Sequence, residues 1–520
     1  MAGDLRTCFA RPCADNLVAL LATGGIMHNT KHVDLHAPDE VPWNIAASIR
    51  RHVLQNPSAP AVFLAGRVIT HGQLAAGVQS TAALLLANGI SPGQTVGISM
   101  GQNAAHLITI LALAHIGAVS LPLHQSLAVA PRALIARRFG ATVVISGHAE
   151  YALPSLPFVS LDTVDLQSGA EVEPFATASE TPFRIVLSSG TSGDPKGLLF
   201  THGYMQQRMS RTQFGITSTS RMLPMDLNFV VGFLYALAAL RAGGSVILGG
   251  GNAPLDLINA VRLHTATHWI LSPAIAESIA PILSADEIAF PRLLELRVTG
   301  GMPSPKLQSL LLQRFSANAH VCYGLTETGV LSLATAEMLE RSPHSVGRIC
   351  NWVEAQVVDQ DGGIAAVGQS GALRVRCEGM IDSYYLDDEY SAQRFCDGWL
   401  DTGDCAFFDE AGLLFIAGRG DDVLNVNGVK VHPQEIEDVL QGHPGVKEAA
   451  VFSLTNSDGS TRMAVAIVSA AVLKAGEVEI FARGLLGTMA PEKYFEIDAL
   501  PRTPTGKVLR RQLADLFGDG

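Results

Sequence analysis

Residues 187–197 read Leu-Ser-Ser-Gly-Thr-Ser-Gly-Asp-Pro-Lys-Gly, with three glycines, four hydroxyl side chains and one lysine in eleven positions. Ser188, Ser189, Thr191 and Ser192 are small donors, Gly190 and Gly193 let the backbone turn its N–H groups inward, and Lys196 adds a positive charge. A nest of such donors closes on an anion with many oxygens, and a polyphosphate fits best. The loop is not a Walker loop, which needs glycine before its lysine and Ser or Thr after it. Here Pro195 precedes Lys196 and Gly197 follows it. Further short polar stretches lie downstream: Gly300-Gly301-Met302-Pro303, Tyr323-Gly324-Leu325-Thr326-Glu327-Thr328, Gly398-Trp399-Leu400-Asp401-Thr402-Gly403-Asp404, Gly418-Arg419 running on through Gly428 to Glu437, and Pro504-Thr505-Gly506-Lys507.

The elements around these stretches alternate between strand and helix. Ile185, Val186 and Leu187 end a buried strand before the glycine-rich loop, and Leu198, Leu199 and Phe200 begin another after it. Residues 61–64 and 68–69 flank Gly66 as a hairpin, and helices are expected over 43–54, 73–88, 103–115, 229–240, 254–264, 274–283 and 305–315. Apolar strands fall between them at 96–100, 119–122, 143–145, 246–248, 267–271 and 295–299. This alternation predicts an α/β body with largely parallel sheets. Near 345 the runs become short and glycine-punctuated, which predicts a small antiparallel β unit up to 417. The stretch Gly418-Arg419-Gly420-Asp421-Asp422 has no apolar residue and marks a boundary. A compact α+β unit follows, with a helix over 433–441, strands near 448–452 and 463–468, and a last helix from Lys507.

Composition narrows the class. An apolar share of 48% with 16% charged residues describes a chain that buries a core. A net charge of −12 argues against nucleic acid or an anionic membrane surface as partner. Seven cysteines, odd in number and without a CxxC pair, point to reduced thiols in a cytoplasmic compartment and to no zinc site. No apolar run reaches the roughly 18 residues of a membrane helix. Residues 17–22 are apolar, but Asp4 and Asp15 precede them, so residues 1–41 read as an N-terminal extension rather than a signal peptide.

Taken in order, the polar stretches resemble the adenylate-forming (AMP-binding) superfamily: acyl- and aryl-CoA synthetases, peptide-synthetase adenylation domains and luciferases. The resemblance spans roughly residues 42–515. It implies a large N-terminal domain over 42–418, a hinge over 419–422 centred on Asp421, and a small mobile C-terminal domain over 423–520. It also implies a reaction in two halves: a carboxylate attacks the α-phosphate of ATP to give an acyl-adenylate and pyrophosphate, and a thiol then displaces AMP.

The resemblance assigns residues as well. Ser189, Gly190, Thr191, Ser192, Gly193 and Lys196 would face the β- and γ-phosphates, Thr326 the α-phosphate, and Glu327, with Thr191, a magnesium ion. Gly300, Gly301 and Gly324 would let the backbone approach the nucleotide, Tyr323 would offer adenine a flat face, and Asp404 and Arg419 would hold the ribose. Lys507 would bridge the carboxylate and the α-phosphate. After a swing at Asp421, Asn427 and Gly428 would line the path of the thiol arm. The acid would lie among Asp226, Asn228, Phe229, Val230, Gly232, Thr299 and Val330. Many CoA synthetases carry histidine at the position of Phe229, and the Phe-Val-Val-Gly-Phe run favours an apolar, aryl or medium-chain acid. The implied activity is an ATP- and Mg2+-dependent acid:CoA ligase. The alternative is a stand-alone adenylation enzyme that loads the phosphopantetheine of an acyl or peptidyl carrier protein, with an amino, aryl or fatty acid as substrate. Only Arg462 and Lys474 between 461 and 480 could meet the 3′-phosphate of coenzyme A. A binding protein without catalysis, or a luciferase-type oxygenase, is a third possibility that the combined presence of Glu327, Asp404, Arg419 and Lys507 disfavours.

Overall fold

The computed structural model describes residues 43–518 apart from 168, 189–195, 213–214, 250–252, 421–423, 427–428, 432, 456–460, 471–475 and 503–507. Ser189, Gly190, Thr191, Ser192, Gly193, Asp421, Asn427, Gly428 and Lys507 therefore lie outside the described residues.

One sheet of the N-terminal body has six strands. Its spatial order is Phe158–Ser160, Val143–Ser146, Thr95–Ile98, Val119–Pro122, Pro182–Ser188 and Lys196–Thr201. All neighbours are parallel except the last pair, the hairpin that carries the glycine-rich loop between its arms. The helix Ala104–His115 has every residue from His106 to His115 buried, and Asn103 caps its start by accepting from the His106 N–H. A helix apolar on all sides belongs in a core rather than at a surface, and this one packs among the sheets with Val230–Arg241, where ten of twelve residues are buried.

The second sheet runs parallel from Pro60–Leu64 through Ser245–Ile247, Arg221–Leu223, His268–Leu271 and Glu295–Val298 to Ala319–Leu325. The chain then reverses: Gly329–Ala334 and Ser345–Ile349 pair antiparallel, and the path continues through Leu414–Arg419, Trp399–Phe408, Gly371–Cys377 and Val353–Val358. The change to antiparallel pairing was expected near 345 and occurs about twenty residues earlier. The cause is the tight turn that follows Leu325, closed by Gly329 at φ 83°, a conformation that costs other residues strain. The antiparallel unit is also not detached, because hydrogen bonds join it to the parallel strands in one sheet of fourteen strands among the described residues.

The strand Leu414–Arg419 carries Arg419 inside this sheet, opposite Asp404. Beyond the undescribed 421–423, a small C-terminal domain holds the hairpin Leu424–Val426 and Val429–Val431 and the sheet Val446–Thr455, Thr461–Ser469 and Lys493–Glu496. The helices Pro433–Gln441 and Glu477–Leu486 cover one core of this sheet, and Arg510–Phe517 covers another. Inside it Glu437, only 4% exposed, accepts from Arg510 on both oxygens at 2.8 and 2.9 Å and from the Val451 N–H at 2.7 Å. No helix among the described residues is long and apolar enough to cross a membrane.

Candidate nucleotide and acid site

Three stretches singled out in the sequence meet where the sheet turns antiparallel. The Tyr323 hydroxyl donates to Asp404 Oδ2 at 2.6 Å, and Arg419 Nη1 donates to Asp404 Oδ1 at 3.1 Å. Local chemistry aims the aspartate. Thr402 Oγ1 accepts from the Asp404 N–H and donates to the Leu373 carbonyl, while Asp401 accepts from the Gly403 N–H. The Asp-Thr-Gly-Asp run thus fixes its own backbone before its last side chain is used. Asp404 is 5% exposed. Burial pushes its carboxyl above the ordinary value, against the pull of Arg419 and the Tyr323 hydrogen bond. Burial and the Asp404 charge together push the Tyr323 phenol well up, so it stays a donor. A carboxylate has about four acceptor sites. Two are used here, which leaves capacity for a vicinal diol.

Glu327 stands four residues beyond Tyr323, in the turn of the hairpin. It is 8% exposed, and its Oε1 accepts from the Tyr384 hydroxyl at 2.6 Å. Its carbonyl accepts from the Tyr204 hydroxyl at 2.9 Å and from the Ile381 N–H at 3.1 Å. Arg208 Nη1 donates to both the Thr326 carbonyl and Tyr204 Oη at 2.8 Å. The Thr-Glu turn is therefore held from behind by the helix His202–Thr212, and among the described residues the Tyr384 phenol orients the Glu327 carboxylate. Burial and the Glu327 charge push the Tyr384 phenol up. No group of three or more His, Cys, Asp or Glu among the described residues could cage a metal. A magnesium ion carried by a nucleotide takes one or two protein carboxylates and draws its other ligands from phosphate and water. Glu327 fits that role, and Thr191 lies outside the described residues.

Lys196 opens the second arm of the glycine-rich hairpin, with its ammonium 2.8 Å from Asp387 Oδ2. Gly300 lies at φ 85° after the strand Glu295–Val298, and Gly301 packs on the ring of Pro273. Gly324 sits at the register shift beside Tyr323.

The residues expected around the acid fall on neighbouring elements. Thr299 follows one strand and Val330 lies on another, with the strand of Tyr323 between them. Asn228 and Phe229 precede the helix Val230–Arg241, and a hydrogen bond from Arg297 to the Tyr235 hydroxyl ties that helix to the strand before Thr299. Gly232 lies so close to the Asp226 carbonyl that a Cβ would stand 2.0 Å from its oxygen. Asp226 is occupied within the protein: Oδ1 accepts from the backbone and side-chain nitrogens of Asn228 at 2.8 Å, and Oδ2 faces His124 Nε2 at 3.5 Å. Burial raises its carboxyl, but the His124 and Asn228 donors outweigh burial and leave it below the ordinary value. Phe229 stacks on the His124 ring at 5.4 Å between centroids.

Sequence reasoning did not single out Tyr384, Asp387, Tyr204, Arg208 or His124. Each acts on a partner from 57 to 191 positions away in the sequence. None stands in a run whose spacing marks it.

The family model for AMP-binding enzymes matches residues 49–385, and the model for the AMP-binding enzyme C-terminal domain matches residues 435–507. The chain belongs to the AMP-binding enzyme family. Among characterised relatives it is similar to a probable CoA ligase of Humulus lupulus, 26% identical over 88% of this chain and 93% of that one. It is also similar to a fatty acid–[acyl-carrier-protein] ligase of Streptomyces coeruleorubidus, 27% identical over 90% and 95%. A third similar protein is a 3-hydroxybenzoate–CoA ligase of Aromatoleum, 27% identical over 89% and 94%. In fold it matches the o-succinylbenzoate CoA synthetase of Bacillus subtilis in complex with its acyl-adenylate, with a TM-score of 0.82 and 21% identity over 91% of this chain and 98% of that one. It likewise matches the amide bond synthetase McbA of Marinactinospora thermotolerans, with a TM-score of 0.78 and 24% identity over 91% and 100%.

Proposed function

We propose that this chain is an ATP-dependent acid:thiol ligase. A carboxylate displaces pyrophosphate from the α-phosphate of ATP, and a thiol then takes the acyl group and releases AMP. The observation that carries this reading is the pair of polar centres on one hairpin: Tyr323 bonded to Asp404, and four residues on, Glu327 bonded to Tyr384. A diol acceptor and a cation-holding carboxylate at that spacing match the ribose and the metal-bound phosphates of one nucleotide. Magnesium, when bound, neutralises phosphate charge as pyrophosphate departs. This chain's residues would do the rest. Asp404 and Arg419 would hold the ribose, Thr326 would meet the α-phosphate, Lys196 would meet the β- and γ-phosphates, and Lys507 would bridge the two anions that react. The backbone at Gly300, Gly301 and Gly324 would lie along the nucleotide.

For the acid we favour an apolar aryl or medium-chain substrate seated by Phe229, Val230, Thr299 and Val330. Asp226 then acts as a loop brace rather than a substrate ligand, since Asn228 and His124 already engage it. Coenzyme A is the favoured thiol, with Asn427 and Gly428 along its path after a swing at Asp421. A carrier protein is the second reading, favoured by the sparse positive charge at 461–480 and by the similarity to a carrier-protein ligase. The test is acid-dependent ATP–pyrophosphate exchange over benzoates, cinnamates, fatty acids and amino acids, repeated with coenzyme A and mass detection. Exchange plus a CoA thioester supports the first reading. Exchange without a thioester supports the second, and no exchange with any acid sinks both.

A further inference from the structure

Residues 384–387, Tyr-Tyr-Leu-Asp, touch both phosphate-facing motifs. Tyr384 donates to Glu327, the Tyr385 N–H donates to the Gly197 carbonyl at 2.8 Å, and Asp387 Oδ2 accepts from Lys196 Nζ at 2.8 Å and from Arg138 Nη2 at 3.1 Å. The other Asp387 oxygen accepts from the Tyr390 N–H and so caps the helix Asp388–Arg394. Lys196 Nζ also stands 4.4 Å over the Tyr390 ring, and both members of the Lys196–Asp387 pair are mostly shielded, at 15% and 17% side-chain exposure. Beneath them Gly197 packs directly on Phe139, where a Cβ would fall 2.3 Å from the ring, and Tyr385 stacks on that same ring. The Lys196 pairing holds Asp387 ionised, with its carboxyl below the ordinary value.

A lysine side chain carries about 2 kcal/mol of rotamer entropy. Left free at the end of a loop, it would lose that freedom each time it met a phosphate. Here a carboxylate and an aromatic face hold it already, and an ammonium has three N–H donors, of which Asp387 takes one. We propose that Asp387 is a positioning residue for ATP: it keeps Lys196 ordered at the end of the glycine-rich loop, so that the charge meets the β- and γ-phosphates without a further ordering cost. The proposal rests on the ligase reading above. A purely structural role would make Asp387 only a helix cap and the partner of Arg138.

The discriminating measurement is calorimetric binding of Mg·ATP and of AMP, because AMP lacks the two outer phosphates. Asp387→Asn keeps a good helix cap and removes the charge. The Kd for ATP is expected to rise about tenfold, as when a hydrogen bond to a charged group is lost, while that for AMP stays within about twofold. Tyr390→Leu removes the aromatic face and is expected to weaken ATP about threefold, the size of a partly exposed cation–π contact, again sparing AMP. Equal weakening of both nucleotides, or an unchanged ATP affinity in both variants, overturns the proposal. Wild-type protein that binds neither nucleotide overturns the ligase reading instead.

Discussion

Tyr384 is the sharpest point at which to perturb the site. Among the described residues its hydroxyl is the side-chain donor to the Glu327 carboxylate, at 2.6 Å, and both residues are buried, at 3% and 8% exposure. Tyr384→Phe deletes that oxygen and keeps the ring, which packs against Tyr390 and Phe395 at 4.8 and 5.6 Å. A hydrogen bond to a charged acceptor contributes about 1.5–3 kcal/mol, and the upper part of that range applies where water does not replace the donor. Part of the loss is global, because a buried acceptor is left unpaired. Part is local, because groups that orient a metal ligand set metal affinity over roughly 10- to 100-fold. The assay is pyrophosphate exchange with the best acid at saturating ATP, titrated with Mg2+ in excess of the nucleotide. The expected result is a rise of about tenfold or more in the Mg2+ concentration for half-maximal rate, with near-wild-type Kd for AMP, whose ribose is proposed to meet Asp404. An unchanged Mg2+ dependence would refute the reasoning and remove Glu327 from the metal.

The remaining predictions concern charge. Arg419→Gln withdraws the cation that opposes the burial-raised carboxyl of Asp404, so the acid limb of the exchange-rate profile should move to higher pH. A carboxyl raised on folding contributes stability below its ordinary range and loses it as pH rises through the folded value, so this variant's melting temperature should fall more at pH 7 than at pH 4. An unmoved acid limb would disconnect Asp404 from ribose binding. Arg510→Ala strands the buried carboxylate of Glu437 and should destabilise the C-terminal domain by about 3–5 kcal/mol in urea unfolding; Glu437→Gln with Arg510→Met should recover most of it, and no recovery would place the loss in packing. Lys507→Ala should abolish adenylate formation while leaving thioester formation from supplied acyl-adenylate largely intact, and an equal fall in both half-reactions would count against a domain swing at Asp421.

The parallel α/β body was readable because its signals are local. Ala104–His115 and Val230–Arg241 are apolar on all sides and end at Gly117 and at Gly243-Gly244, and the strands between them are short buried runs. The nucleotide stretches were readable for the same reason: Asp401 to Asp404 cap their own backbone. What stayed hidden depends on distant pairing. The antiparallel turn after Leu325 depends on strands that return from residue 414 onward. Tyr384 and Asp387 gain meaning only because one strand edge brings Gly197 beside Tyr385. Asp226 was open to reading as a substrate ligand because its partner, His124, lies 102 positions earlier.

Long-range pairing also joins two stretches that the sequence leaves far apart. Arg184 lies on the strand Pro182–Ser188, whose end opens into the glycine-rich loop. It has no exposed surface, and burial lowers its guanidinium to about 9, with Asp226 pulling the other way. Such a buried cation is costly unless its donors are used. Arg184 Nη1 donates to Ser120 and Nη2 to the Leu227 carbonyl, and the guanidinium lies 4.6 Å over the Phe233 ring. Leu227 belongs to the loop that sets Asn228 and Phe229, and Phe233 to the helix that follows. The strand that leads to residues 189–195 therefore also holds the loop that carries Asn228 and Phe229. One buried side chain thus ties the strand Pro182–Ser188 to the loop before Val230 and to the helix that follows, and under the proposed reading of the acid pocket Arg184 braces its front.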